Sequence, residues 1–145
     1  MYRHVVSHLL GIERPAEAGH HRPAMPKDAQ KEIARLVSVF RENVIRQTDT
    51  IWNEGRSGNA FARKSIRAFE KLREHGNAGR DAFAILMTDL RPDVRVAAAA
   101  YMLRYRHEEA MEVLRQAAAR DGMVGFEAGE AIKRWNEQVW SLDPE

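Results

Sequence analysis

The chain has 145 residues, with 23 basic and 21 acidic side chains, six histidines and no cysteine. That length fits one domain with a core of useful size, and the missing cysteines exclude disulfides, thiolate catalysis, zinc ribbons and iron–sulfur ligation. At 44% hydrophobic and 30% charged the composition excludes a disordered or membrane-embedded chain, and the formal net charge of +2 carries no message of its own.

Residues 1–26 hold four of the six histidines (His4, His8, His20, His21), three of the five prolines (Pro15, Pro23, Pro26) and two glycines. Apolar periodicity there is weak and confined to Tyr2–Ile12, so the expectation is a mobile tail. A strong helical pattern starts directly after Met25, which equally fits a true initiator at Met25. Val5-Val6 and Leu9-Leu10 are separated by Ser7 and His8, short of a signal-peptide core and of a spanning helix. A soluble cytoplasmic protein without membrane contact is expected.

From Lys27 onward the pattern is helical. Ile33, Leu36, Val37, Phe40, Val44, Thr48, Ile51 and Trp52 recur at three- and four-residue spacing and predict one long amphipathic helix. Glu54–Asn59 interrupts it with two glycines and offers Ser57 or Asn59 as the next cap. A second helix carries Ala62, Ile66, Phe69 and Leu72 inward and ends with Gly76 at C′. A third spans about 80–90, with Phe83, Leu86, Met87 and Leu90 inward. Pro92 then opens a fourth, with Val94, Ala97, Ala98, Tyr101, Met102 and Tyr105 on its buried side. A fifth covers about 108–119, and a sixth follows Asp121-Gly122 with Val124, Ala128, Ala131, Ile132 and Trp135. The polar end 141–145 is expected to fray. No alternating run of β-formers occurs, and the fold class is all-α.

Self-similarity organises these helices. A shift of 30 residues lays Val94, Val96, Ala98, Ala99, Met102 and Tyr105 on Val124, Phe126, Ala128, Gly129, Ile132 and Trp135. A shift of 28 lays Ala82, Phe83, Ile85 and Leu86 on Ala110, Met111, Val113 and Leu114. The expected architecture is three antiparallel helix pairs, about 28–75, 80–105 and 108–138, stacked because no pair buries its own face. Gly129 sits where a close helix approach is expected.

The stretch Leu86-Met87-Thr88-Asp89-Leu90-Arg91-Pro92-Asp93-Val94-Arg95-Val96-Ala97-Ala98 resembles the HEAT-repeat signature: a leucine-rich first helix, an Asp/Pro turn, then Val-Arg and paired alanines. The third pair departs from it, with Gly125 in the arginine's place, as would suit a capping repeat; the first pair matches poorly. Residues 27–140 as a whole resemble small bacterial HEAT-like helical domains. That resemblance implies a short right-handed solenoid and casts Asp93 and Arg95 as structural. Some such proteins are encoded beside toxins, which implies an immunity-like role. The motif is specific for architecture and nearly silent on function.

Searching the residues for chemistry yields little. His4 and His8 are spaced for one helix face, but no carboxylate pair completes a metal site. His107-Glu108-Glu109 lacks the second histidine of a metalloprotease helix, since residue 111 is methionine. No serine sits in a nucleophile elbow, and Gly55–Asn59 lacks the lysine and spacing of a phosphate loop. No catalysis, cofactor or metal is expected.

The distribution of charge is more informative. Residues 1–54 hold 8 basic and 7 acidic side chains, residues 55–106 hold 11 and 5, and residues 107–145 hold 4 and 9. A basic centre therefore adjoins an acidic end. Arg63, Lys64, Arg67 and Lys71 predict a basic helical face, to which Arg91 and Arg95 add. Such a face is a solvated surface neutralised by the acidic third pair, a docking surface for an acidic protein, or a phosphate-contacting surface. The protein partner is the expected use. The rival is a nucleic-acid binder or HEAT-like base-processing enzyme, disfavoured by the lack of a basic tail and, Phe61 apart, of exposed aromatics for base stacking.

Overall fold

A computed structural model describes residues 25–55 and 58–144. The expected tail lies almost wholly outside them, as does Ser57. The chain divides into two units, of which residues 25–30 are the described part of the first and residues 31–55 and 58–144 that of the second. In the described part of the first, the Gln30 N–H donates to the Pro26 carbonyl at 3.0 Å and its side chain to the Met25 carbonyl at 3.0 Å.

Among the described residues the structure is all-helical: α1 Lys27–Glu54, α2 Asn59–Glu74, α3 Asn77–Ala84, α4 Pro92–Tyr101, α5 His107–Ala118 and α6 Met123–Asn136. Two boundaries differ from the periodicity. After α3 the backbone tightens into a 3₁₀ turn at Ile85–Thr88, and α4 stops at Tyr101, so Met102–Arg106 is a turn. Both changes bring the chain round within few residues, and Leu86, Met87, Met102 and Leu103 remain buried through them.

Glycines make the corners. Gly58, not Ser57 or Asn59, is the N-cap of α2 at φ +69°, and a Cβ there would press on Gln47 of α1. Gly76 takes the expected C′ place at φ +66° and also precedes α3. Three residues further, a Cβ on Gly79 would collide with the Leu72 carbonyl oxygen. The same spacing recurs at Gly122 and Gly125, where a Cβ on Gly125 would strike the Arg120 carbonyl oxygen. Gly125 is thus the close-approach glycine of α6. Gly129, expected in that role, faces open space.

The core begins as an aromatic cluster to which four helices contribute: Phe40 of α1, Phe69 of α2, Phe83 of α3 and Tyr101 of α4. Phe40 meets Phe83 and Tyr101 edge to face at 4.7 and 5.4 Å, and Phe69 meets Phe83 at 4.8 Å. Each such pair is worth about 0.5–1.5 kcal/mol beyond burial. Ala98 and Ala99 are wholly buried where α4 packs against α5 and α6, which also pack on each other. The repeat equivalences diverge outside that seam. Ala98 and Ala128 are both fully buried, yet Val96 is 4% exposed and its counterpart Phe126 is 68% exposed. Ile66, Leu90 and Trp52, expected inward, are also exposed.

The expected frayed end is anchored instead. Asp143 is fully enclosed. Arg80 grips its carboxylate in a bidentate fork at 2.8 and 3.0 Å. Arg104 Nη2 lies 3.3 Å away while its Nε donates to the Asp143 carbonyl at 2.9 Å. Arg73 Nε lies 2.7 Å from Oδ1 but is misaligned for a hydrogen bond, so that contact is Coulombic; Arg73 Nη2 donates to the Pro144 carbonyl at 2.7 Å. Burial alone would raise the Asp143 pKa, but the Arg80 hydrogen bond and the charges of Arg80, Arg104 and Arg73 hold it below the usual carboxylate range.

Candidate functional site

The sequence-derived basic residues divide into two groups. Helix α2 buries Ser65, Ala68, Phe69 and Leu72, which turns Arg63, Lys64, Arg67 and Lys71 to the opposite side, where all four are exposed. Arg63, Arg67 and Lys71 follow one another at four-residue spacing and form one ridge. None of the four makes an ion pair among the described residues. Lys64 Nζ rests 5.7 Å above the Phe61 ring, a cation–π contact that leaves the charge in water. Lys71 feels an acid at longer range: it contributes to the lowered pKa of Glu32, whose main cause is the hydrogen bond from Arg35. Exposed Ile66 adds an apolar element to the ridge.

Arg91 and Arg95 are used within the fold. Arg91 donates to both carboxylate oxygens of Asp93 at 3.0 Å. Arg95 Nη1 donates to the carbonyls of Asp89 and Leu90 at 2.8 and 3.1 Å, closing the turn before α4. Asp89 completes that turn by accepting from Arg41 Nε at 2.7 Å and from the Arg91 N–H at 3.0 Å. Its pKa is lowered, chiefly by the Arg41 hydrogen bond. Of the six candidate contact residues, the ridge brings together four, and the turn holds the other two.

A second feature was not visible in the sequence. Residues of α1, α4 and α6 enclose a small cleft of about 70 Å³, with Gln47, Thr48, Trp52, Asp93 and Glu127 among its walls. Asp93 is 9% exposed. Burial opposes its ionisation, but hydrogen bonds from Arg91 and Thr48, the Arg91 charge and the Val94 N–H outweigh that and lower its pKa. Glu127 moves the other way. Much of that residue meets water, yet protein crowding its carboxyl, then the Asp93 charge, push its pKa up. Two carboxyls shifted in opposite directions thus line one cleft. The cleft has room for about two water molecules, and Arg91 is neutralised by Asp93, so it offers no basic floor for a phosphate. Asp93 stood out in the sequence through its turn motif, while Glu127 gave no signal.

His107 Nδ1 donates to the Leu103 carbonyl at 3.0 Å, and its ring packs on Trp135. No group of three metal-ligating side chains exists among the described residues; His4, His8, His20 and His21 lie outside them. No helix among the described residues is long and apolar enough to cross a membrane. Against known proteins the chain matches no family model, no curated protein and no solved structure.

Proposed function

We propose that the chain is a non-catalytic interaction module, a HEAT-like stack of three antiparallel helix pairs in a short right-handed solenoid, that docks an acidic protein on the α2 ridge. The observation that carries this reading is the contrast in charge use. Arg73, Arg80, Arg91, Arg95, Arg104 and Arg106 are spent on internal partners, while Arg63, Lys64, Arg67 and Lys71 stand exposed with no ion pair among the described residues. Unspent, regularly spaced charge on a rigid helix speeds encounter with an oppositely charged surface and fixes its register. Phe61 and Ile66 supply apolar contact beside the cations. The HEAT-like resemblance adds a bacterial setting and, as one partner of this chemistry, a toxin that the chain neutralises; the cytoplasm is the proposed compartment.

Nucleic acid is the second reading, favoured by the same exposed cations, with base processing as its enzymatic form. The acidic cleft at Asp93 and Glu127 counts against the enzymatic form, because phosphate would be repelled there. The test uses wild-type protein and Arg63→Glu/Arg67→Glu as paired baits in native-host lysate, beside a salt titration against duplex and single-stranded DNA. The expected outcome is an acidic protein held by the wild type, lost with the charge reversal at unchanged melting temperature, and no DNA binding at low salt. DNA binding that falls steeply with log salt supports the second reading. Equal capture by both baits shows the ridge is not the interface.

A further inference from the structure

Helix α6 ends in a cap normally built on glycine. The Val139 N–H donates to the Arg134 carbonyl at 3.0 Å and the Gln138 N–H to the Trp135 carbonyl at 3.1 Å, the paired bonds of a Schellman motif. The left-handed position belongs to Gln138, at φ +62°, the one non-glycine residue with positive φ among the described residues. Glycine would sit there without steric penalty, and the chain uses glycine at its other left-handed positions, Gly55, Gly58, Gly76 and Gly122. A side chain kept at a strained position points to a use for that side chain.

Gln138, exposed to solvent, lines an open pocket of about 370 Å³ together with Trp135, Asn136 and Trp140. The two indoles stand edge to face, with centroids 5.3 Å apart and planes at 72°. Both rings are held by partners in the fold. Trp140 Nε1 donates to the Ala100 carbonyl at 2.7 Å, and His107 packs on Trp135 at 5.1 Å. The corner is therefore preformed, and it falls within the usual size range of small-molecule sites, about 300–1,000 Å³. Among the described residues no charged group lines it, and there the carboxamides of Asn136 and Gln138 make no hydrogen bond.

We propose that this corner is a binding site for a neutral pyranose. The electron-rich indole faces attract the weakly positive C–H face of a sugar ring. Each carboxamide both donates and accepts, as does each sugar hydroxyl, so both amides find partners. A quaternary ammonium ion would use the indoles but leave the amide N–H groups unpaired. A nucleotide would bring phosphate to a segment, 107–145, that carries 9 acidic against 4 basic side chains. The site is separate in residues and chemistry from the α2 ridge and does not depend on it.

The test titrates methyl glucoside, galactoside, mannoside and N-acetylglucosaminide into the ¹⁵N-labelled full chain, following the indole N–H signals of Trp52, Trp135 and Trp140. The expected result is a saturable shift of Trp135 and Trp140 with Trp52 unmoved, at a dissociation constant on the order of 1 mM. Gln138→Gly should weaken binding about tenfold while raising the melting temperature, a combination that a purely structural glutamine would not give. Asn136→Ala, at an exposed helix end, gives a second variant that should weaken binding and leave the melt unchanged. Three results overturn the proposal: no saturable shift with any of the four sugars, equal or stronger binding of tetramethylammonium or adenosine monophosphate, or undiminished sugar affinity in both variants.

Discussion

The α2 ridge and the cradle around Asp143 draw on the same basic centre of the chain and use it in opposite ways. In the cradle, Arg73, Arg80 and Arg104 come from separate parts of the fold to surround one carboxylate that meets no water. On the ridge, Arg63, Lys64, Arg67 and Lys71 come from one helix and face solvent. The difference shows that a segment's net charge does not tell whether its charges hold the fold or serve its surface. Reach decides: Asp143 lies within 3.3 Å of all three cradle arginines, whereas no carboxylate oxygen among the described residues pairs with a ridge nitrogen.

The largest expected effect is in the cradle. Asp143→Asn leaves three guanidinium groups facing a neutral amide, and truncating one partner of a buried ion pair costs about 3 kcal/mol or more. For a domain of this size that is a fall of more than about 10 °C in melting temperature, read by thermal denaturation. The pH dependence follows with a definite sign. Asp143, Asp89 and Asp93 all have lowered folded-state pKa values, so their contribution is complete above the unfolded carboxylate value of about 4. It is lost as pH falls through the folded values. Melting temperature should hold from neutrality to about pH 5 and drop below that, and Asp143→Asn should blunt the drop. An unaltered acid limb in the variant would show that the cradle does not dominate acid sensitivity.

Arg95 tests the middle ground, since it was a candidate contact residue that the turn before α4 absorbs. Arg95→Met keeps the aliphatic stem and removes two bonds to carbonyls, for a loss of about 1.5–3 kcal/mol at neutral pH, with capture of a ridge partner unchanged. Loss of capture at unchanged stability would move Arg95 to the binding surface.

Much of the helical framework was legible because burial imposes a 3.6-residue period: Ile33, Leu36, Phe40 and Val44 declare the inner face of α1 without any tertiary information. Helix ends were less legible. The 3₁₀ turn at Ile85–Thr88 and the stop at Tyr101 are set by where α3 and α4 must turn, and the apolar residues run on through both. Leu90 and Trp52 continue the period of buried residues, yet Leu90 stands in the bend after the helical run has ended at Thr88 and Trp52 in the last turn of α1, and both are exposed. The ridge was legible because it lies on one helix. The cradle was not, because Asp143 is 39 to 70 residues from its arginines and a polar chain end carries no periodic mark. The cleft at Asp93 and Glu127 escaped for the same reason, since three non-adjacent helices make it.

The most direct test of the contrast between ridge and cradle needs no partner. Urea denaturation is measured on wild-type protein and on the variant Arg63→Gln/Lys64→Gln/Arg67→Gln/Lys71→Gln. Charges that serve the surface and not the fold can be removed freely, so the unfolding free energy should stay within about 0.5 kcal/mol of wild type or rise slightly as like-charge repulsion along α2 is relieved. A fall of more than about 1 kcal/mol, beyond what surface substitutions ordinarily cause, would mean that the ridge is spent on the fold as the cradle is, and the docking surface would lose its basis.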